Sequence, residues 1–280
     1  MTLAWQDGRL TAEAEAHIPI TDRGFLLGDG LFETMAVRRG RVFDLGAHLN
    51  RLASGLDVLN LRGAVDLAWL HAEIDRYLGA AKIDSAVLRL TVTRGSGPRG
   101  LLPPPSPRPK LLMALSAMPA LREEPLSLHV SALTRRNEFS PLARIKALPY
   151  LDNVLALQEA RAHGADDALL LNTRGNIACS SIANIFIVRE GRLETPPASA
   201  GALPGTMRAL VLTLASELRL AAVERILDVA DLAAADEVFL TNSVSRIAPV
   251  TQCGGKPVGR GAGGAVERLR GLIAAKFDAG

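Results

Sequence analysis

One stretch, Pro141 to Phe186, constrains this chain more tightly than any other. Ala143-Arg144-Ile145-Lys146-Ala147-Leu148-Pro149 leads into Tyr150-Leu151-Asp152-Asn153-Val154-Leu155-Ala156-Leu157-Gln158-Glu159-Ala160. Leu151, Val154, Leu155 and Gln158 fall at helical spacing on one face, and Gly164 is a natural stop. Asp167 to Asn172 reads as a buried strand, Thr173-Arg174-Gly175-Asn176 as a turn, and Ser181 to Val188 as a second strand. Lys146 therefore sits just before a helix, with apolar sequence nearby. Burial disfavours an ammonium ion and lowers the lysine pKa, which suits the amine to Schiff-base chemistry. By spacing alone, a lysine in this place is more simply read as a surface residue.

A chain of 280 residues, 48% hydrophobic and 22% charged, can bury a core as one large domain or two modest ones. A net charge of +3 is too small to argue for nucleic acid, and scattered arginines serve anionic small molecules equally well. Two cysteines, Cys179 and Cys253, make no disulfide framework. The N-terminal residues lack the pattern of a signal peptide, and no window reads as a membrane span, so the expected location is the cytoplasm. The five histidines are dispersed without metal-ligand spacing, so no metal site is expected.

Other segments carry chemistry only as possibilities. Asp22-Arg23-Gly24 and Gly28-Asp29-Gly30-Leu31-Phe32-Glu33-Thr34 form a glycine-rich turn that could bring a following strand close to a ligand. Residues 46–60 predict an amphipathic helix striped by Leu49, Leu52, Leu56 and Leu59, with His48 and Arg51 off the stripe. Thr93-Arg94-Gly95-Ser96-Gly97-Pro98-Arg99-Gly100 is a solvated loop or an anion site. Gly201 to Arg208 opens a helix expected to run to about Leu220, whose N-terminus offers amides to a phosphate, as any helix N-terminus does. Gly254 to Gly264, with six glycines, reads as a mobile loop. Charge and proline interrupt two apolar runs near residue 120. The expected organisation is an α/β (α+β) fold of two domains, a smaller one at 1–119 and a larger one at 127–280, joined by a linker at 120–126.

Several of these motifs together resemble the fold-type IV, or class IV aminotransferase, family of pyridoxal-phosphate enzymes. The resemblance lies in Arg144 and Lys146, Leu151 to Ala156, Gly164 to Leu169 and Ser181 to Phe186, and further motifs follow in order along nearly the whole chain. It implies that Lys146 carries pyridoxal 5′-phosphate and acts as the catalytic base, with Thr34 as a proton relay. It implies phosphate contacts from Arg51, from amides at Thr206 and Met207, and from Ser243. Cys179, Ser180 and Asn242 would also touch the cofactor, while Phe32, Glu33, Arg99 and Asn242 would face the substrate. A homodimer acting on a small amine or amino acid is implied as well.

One position departs from the family pattern. Where the family places a glutamate against the cofactor's ring nitrogen, five residues before Asn184, this chain has Cys179, with no carboxylate near it in sequence. A neutral thiol is a weak hydrogen-bond partner, so the cofactor would be a weaker electron sink. That favours elimination over full transamination. The Arg94 to Gly100 loop and the pair Asn242-Ser243 are similar to those of aminodeoxychorismate lyases. The leading expectation is formation of 4-aminobenzoate and pyruvate. A transaminase of D-amino or branched-chain acids is the first rival, and a non-catalytic binder of the cofactor or a small molecule is the second.

Overall fold

The computed structural model describes residues 3–261 and 264–279. The chain folds as two compact units, one running to Pro119 and including Ile145–Pro149, the other comprising Ala120–Arg144 and Tyr150–Ala279.

Among the described residues, the first unit is a six-stranded antiparallel sheet built from β1 (Leu3–Gln6), β2 (Arg9–Ala12), β3 (Gly30–Arg38), β4 (Arg41–Val42), β5 (Ser85–Thr93) and β6 (Lys110–Ser116), in the order β2-β1-β6-β5-β3-β4. It also carries helices α1 (Arg23–Leu27), α2 (Leu45–Val58) and α3 (Leu67–Ala81). Leu49, Leu52 and Leu56 of α2 and Leu70, Ile74, Tyr77 and Leu78 of α3 pack with Leu31, Met35, Leu88, Leu90 and Val92 of the sheet. Period-two alternation puts these strand residues on one face and Phe32, Thr34, Arg89 and Thr91 on the other. Phe32 lies opposite Thr91 in register, and Thr34 opposite Arg89. Helix α2 comes close to β3 because Gly55 faces Leu31: a Cβ there would stand 2.8 Å from Leu31 Cδ1.

The Asp22–Gly30 motif proves to be a clamp. Asp22 caps α1 by accepting from the amides of Gly24 and Phe25, and it also accepts from Thr93 Oγ1 at 2.7 Å. Arg23 donates to Asp29 at 2.8 Å and to the carbonyls of Gly100 and Leu101 at 2.9 and 2.8 Å, while Arg94 reaches Asp29 at 2.7 Å. These bonds fix the start of β3 and the ends of the 94–102 loop.

The second unit contains β7 (Leu126–Val130), α4 (Leu151–Ala162), β8 (Asp167–Leu171), β9 (Ile177–Ser180), β10 (Asn184–Arg189), β11 (Arg192–Thr195), α5 (Thr206–Leu214), β12 (Ala221–Glu224), α6 (Val229–Ala234), β13 (Glu237–Asn242), β14 (Arg246–Cys253), β15 (Lys256–Pro257) and α7 (Ala265–Ala279). Its strands form a mixed sheet in the order β12-β11-β10-β13-β14-β7-β8-β9, with β15 against β14. Leu128, Leu169, Ile185, Ile187, Leu240 and Val250 fill one core cluster. Ala156 and Ala160 of α4 lie in another with Ala168, Leu170 and Cys179.

Four local expectations are corrected. The helix after Lys146 forms, but Leu151, Val154 and Leu155 point outward, and the small residues Ala156 and Ala160 face inward with Asn153. Ser181–Ala183 is a turn rather than the start of a strand, because Ser180 Oγ accepts from the Ala183 amide at 3.0 Å. Helix α5 ends at Leu214 instead of near Leu220; a 3-10 turn follows, and the chain then joins the sheet as β12, parallel to β11. The glycine-rich segment after Cys253 is not uniformly a loop, since left-handed Gly254 and Gly255 (φ 59° and 72°) turn β14 into β15. Residues 262 and 263 of that segment lie outside the described residues.

Candidate active site

The sequence reading puts Lys146 in the C-terminal domain, yet Ile145–Pro149 belongs with the first unit. Backbone pairing accounts for this. The Phe32 amide donates to the Lys146 carbonyl and the Leu148 amide to the Gly30 carbonyl, both at 3.0 Å, so the segment runs as a short antiparallel bridge on β3. Gly30 is required there: a Cβ would collide with the Val92 carbonyl and stand 2.8 Å from Leu148 Cδ1.

The Lys146 amine lies over the Phe32 ring, 4.2 Å from its centroid, and the Arg89 guanidinium lies 4.1 Å from the same centroid. The residue keeps some exposure, but desolvation is the largest influence on its amine. Arg51 and Arg89 add like-charge repulsion, Glu33 opposes them, and the pKa falls from 10.5 to about 8. Arg89 escapes sequence reasoning because an arginine in an alternating strand looks like any solvent-facing residue. Its register opposite Thr34 is the only signal.

Glu33 has a different setting from the one its motif implied. It lies on the core face of β3, in register with Leu90, and is 1% exposed. Its Oε1 accepts from Arg51 Nε at 2.8 Å and its Oε2 from Arg51 Nη2 at 2.5 Å, while His48 Nδ1 is 2.7 Å from Oε2. Burial would raise the pKa of this carboxyl. The bonds from Arg51 and His48 outweigh burial and bring it down to about 2. Both oxygens are thus committed within the protein. Thr34 stands on the opposite face with Phe32, and Arg99 is exposed on the 94–102 loop.

In the second unit, Gly205 is the N-cap of α5 and offers no side chain to the first-turn amides. A Cβ at Gly205 would collide with Asn184 Oδ1, so the position admits no larger residue without movement. Thr206 Oγ1 and Ser243 Oγ are 2.9 Å apart, joining the helix start to the β13–β14 turn. Thr206 and Met207 are buried. Asn242 accepts from the amides of Val244 and Ser245 at 2.9 and 2.7 Å, so its carbonyl oxygen holds the turn.

Cys179 is buried on β9, paired with Leu170. Burial pushes its thiol up to about 11; Arg136 opposes that shift, and Asp167 adds to it. The thiol is therefore neutral at physiological pH. A carboxyl group, absent near it in sequence, comes from the adjoining strand: Asp167 accepts from Ser181 Oγ, and burial raises its pKa. Ser180, next to Cys179, accepts from the Ala183 amide in the 181–183 turn and also bonds Asp167.

A family model described as amino-transferase class IV matches residues 30–253. A putative branched-chain-amino-acid aminotransferase of Methanocaldococcus jannaschii is 34% identical over 257 residues, covering 90% of this chain and 88% of the relative. The branched-chain amino acid aminotransferase of Escherichia coli superposes with a TM-score of 0.92 at 26% identity, covering 99% of this chain and 94% of that one. The 4-amino-4-deoxychorismate lyase of Pseudomonas aeruginosa gives a TM-score of 0.88 at 34% identity, covering 98% of both chains.

Proposed function

The chain belongs to the class IV aminotransferase family, with pyridoxal 5′-phosphate as its cofactor, and from that premise we propose that it is a 4-amino-4-deoxychorismate lyase. The side chains suit the cofactor. Lys146 offers a desolvated amine for an aldehyde. The uncapped amides at Thr206 and Met207 and the hydroxyls of Thr206 and Ser243 offer neutral donors for a phosphate. The collision a Cβ at Gly205 would cause keeps that helix start bare. Arg51 supplies the cation.

When bound, the cofactor supplies a conjugated ring that withdraws electron density from the carbon bearing the substrate amine. Lys146 holds the cofactor and, once free, takes the proton from that carbon; a pKa near 8 suits a base working near neutrality. Thr34 relays the proton. Phe32 forms the shelf between the amine and Arg89, which an anionic substrate group would meet as a second cation. Arg99 orients the substrate, as does Asn242 through its amide NH2, its oxygen being held by the turn. Loss of the pyruvyl enol aromatises the substrate ring and leaves 4-aminobenzoate and pyruvate.

The observation that carries the lyase reading is Cys179, buried, neutral and unable to act as an anionic partner for a ring nitrogen. Elimination of a good leaving group soon after proton removal depends less on a strong electron sink than full transamination does. Incubation with aminodeoxychorismate should release 4-aminobenzoate, while leucine or D-alanine with 2-oxoglutarate should turn over slowly. Cys179→Glu should raise transamination relative to elimination; no gain would remove the argument from the thiol. The transaminase reading draws on the relatives themselves, the M. jannaschii and E. coli proteins both being named branched-chain aminotransferases. It prevails if amino acids turn over and aminodeoxychorismate does not. Retained cofactor without turnover of either substrate would favour the non-catalytic binder.

A homodimer is part of this proposal. Leu151, 69% exposed, forms an outward apolar stripe on α4 with Val154 and Leu155, a surface that a second copy would cover. Light scattering of the purified protein tests it. A location in the cytoplasm is also part of the proposal; none of the described helices is long and apolar enough to cross a membrane.

A further inference from the structure

Glutamate is an unusual residue on the face of β3 that carries Leu31 and Met35 into the apolar core. Burying a carboxylate costs several kcal/mol unless partners compensate. Here the compensation is specific. Arg51 meets Glu33 with two parallel bonds, and His48, three residues earlier on the helix, meets the same Oε2 as Arg51 Nη2. Gly55 makes this reachable by letting α2 approach β3. Glu33 follows Phe32 directly, and the Phe32 amide is bonded to the Lys146 carbonyl. One strand thus presents the lysine segment on one residue and the guanidinium's partner on the next.

We propose that Glu33 is a positioning residue, whose carboxylate holds the Arg51 guanidinium in one orientation and offsets its charge as felt by the Lys146 amine. The bidentate pairing fixes the plane of the guanidinium, which a single contact would leave to rotate. The charged groups acting on Lys146 are Arg51 and Arg89, which disfavour its protonated form, and Glu33, which favours it. His48 contacts Glu33. Without the carboxylate, the repulsion from Arg51 and Arg89 on the lysine would lose the opposing pull of Glu33. The consequence for cofactor capture rests on the reading of Lys146 and Arg51 given above; the charge balance itself does not.

The test titrates the Lys146 amine in the full-length, cofactor-stripped protein, by 13C-methylation of lysines and NMR. Glu33→Gln should lower the Lys146 midpoint, by about one pH unit for a charge at this range in a partly buried site. Arg51→Gln should raise it, and the double variant Glu33→Gln/Arg51→Gln should return it towards the parent value. Pyridoxal phosphate affinity of Glu33→Gln, read by fluorescence, should fall, and Glu33→Asp should recover the midpoint more fully than the affinity. An unchanged or raised midpoint in Glu33→Gln overturns the proposal. If Glu33→Gln does not fold, Arg51→Gln and the double variant decide: equal midpoints in the two overturn it. Should borohydride fail to attach the cofactor to Lys146 while these midpoints move as stated, the functional reading fails and the charge balance stands.

Discussion

Under the proposed function, two regions offer donors to the same kind of anion, and they are built in opposite ways. In the first unit the donor is Arg51, a full charge 10% exposed at its side chain, whose presence on the core side of the sheet requires Glu33 as a counter-charge. In the second unit the donors are backbone amides and two hydroxyls at the start of α5, with no side chain of opposite sign needed. The charged version depends on protonation states and hydrogen-bond geometry. The neutral version depends on space, because Gly205 must stay bare beside Asn184. A charged donor gives strength at the expense of pH tolerance, and a neutral one gives pH tolerance at the expense of tolerance to substitution.

Acid should separate them most. Glu33 has a folded-state pKa near 2 against an ordinary 4.5, so its stabilisation is complete above about 4.5 and is lost as pH falls towards 2. The loss should reach up to about 3 kcal/mol, and Glu33→Gln should flatten that part of an acid-unfolding curve. A curve with the same slope in parent and variant would break the contrast. Next in size, Gly205→Val should cost about 1–3 kcal/mol through overpacking, read as a lower melting temperature that does not recover with pH. Smallest, Thr206→Val with Ser243→Ala removes hydroxyl donors worth about 1 kcal/mol each, and cofactor affinity should weaken roughly tenfold or somewhat more, by about the same factor at pH 6 and pH 8. A strongly pH-dependent loss there would mean that the second region is not neutral.

The same contrast explains what is legible in the sequence. Periodicity locates α2 and β5 because those elements bury one regular face, and it locates the helix after Lys146 from an apolar stripe that is exposed. It misjudges which face of α4 is inward: Ala156 and Ala160 pack under the sheet, and the leucines do not. Small residues leave no hydrophobic signal. The Asp22–Gly30 motif is visible as a glycine-rich turn, but its clamp on the carbonyls at 100 and 101 joins residues 77 or more apart. Glu33 reads as a pocket residue because motif position says nothing about which sheet face a strand residue takes. The Asp167 carboxyl near Cys179 is hidden because strand pairing, not sequence distance, brings it there.

The central claim is that the Lys146 amine, desolvated on the Phe32 ring and held to β3, is the one that binds the cofactor aldehyde. Borohydride reduction of the pyridoxal-phosphate-loaded protein, followed by peptide mass mapping, tests it most directly. The account predicts one phosphopyridoxyl group per chain, on the peptide containing Lys146, and none in Lys146→Ala. A label on another lysine, or undiminished labelling in that variant, would contradict it.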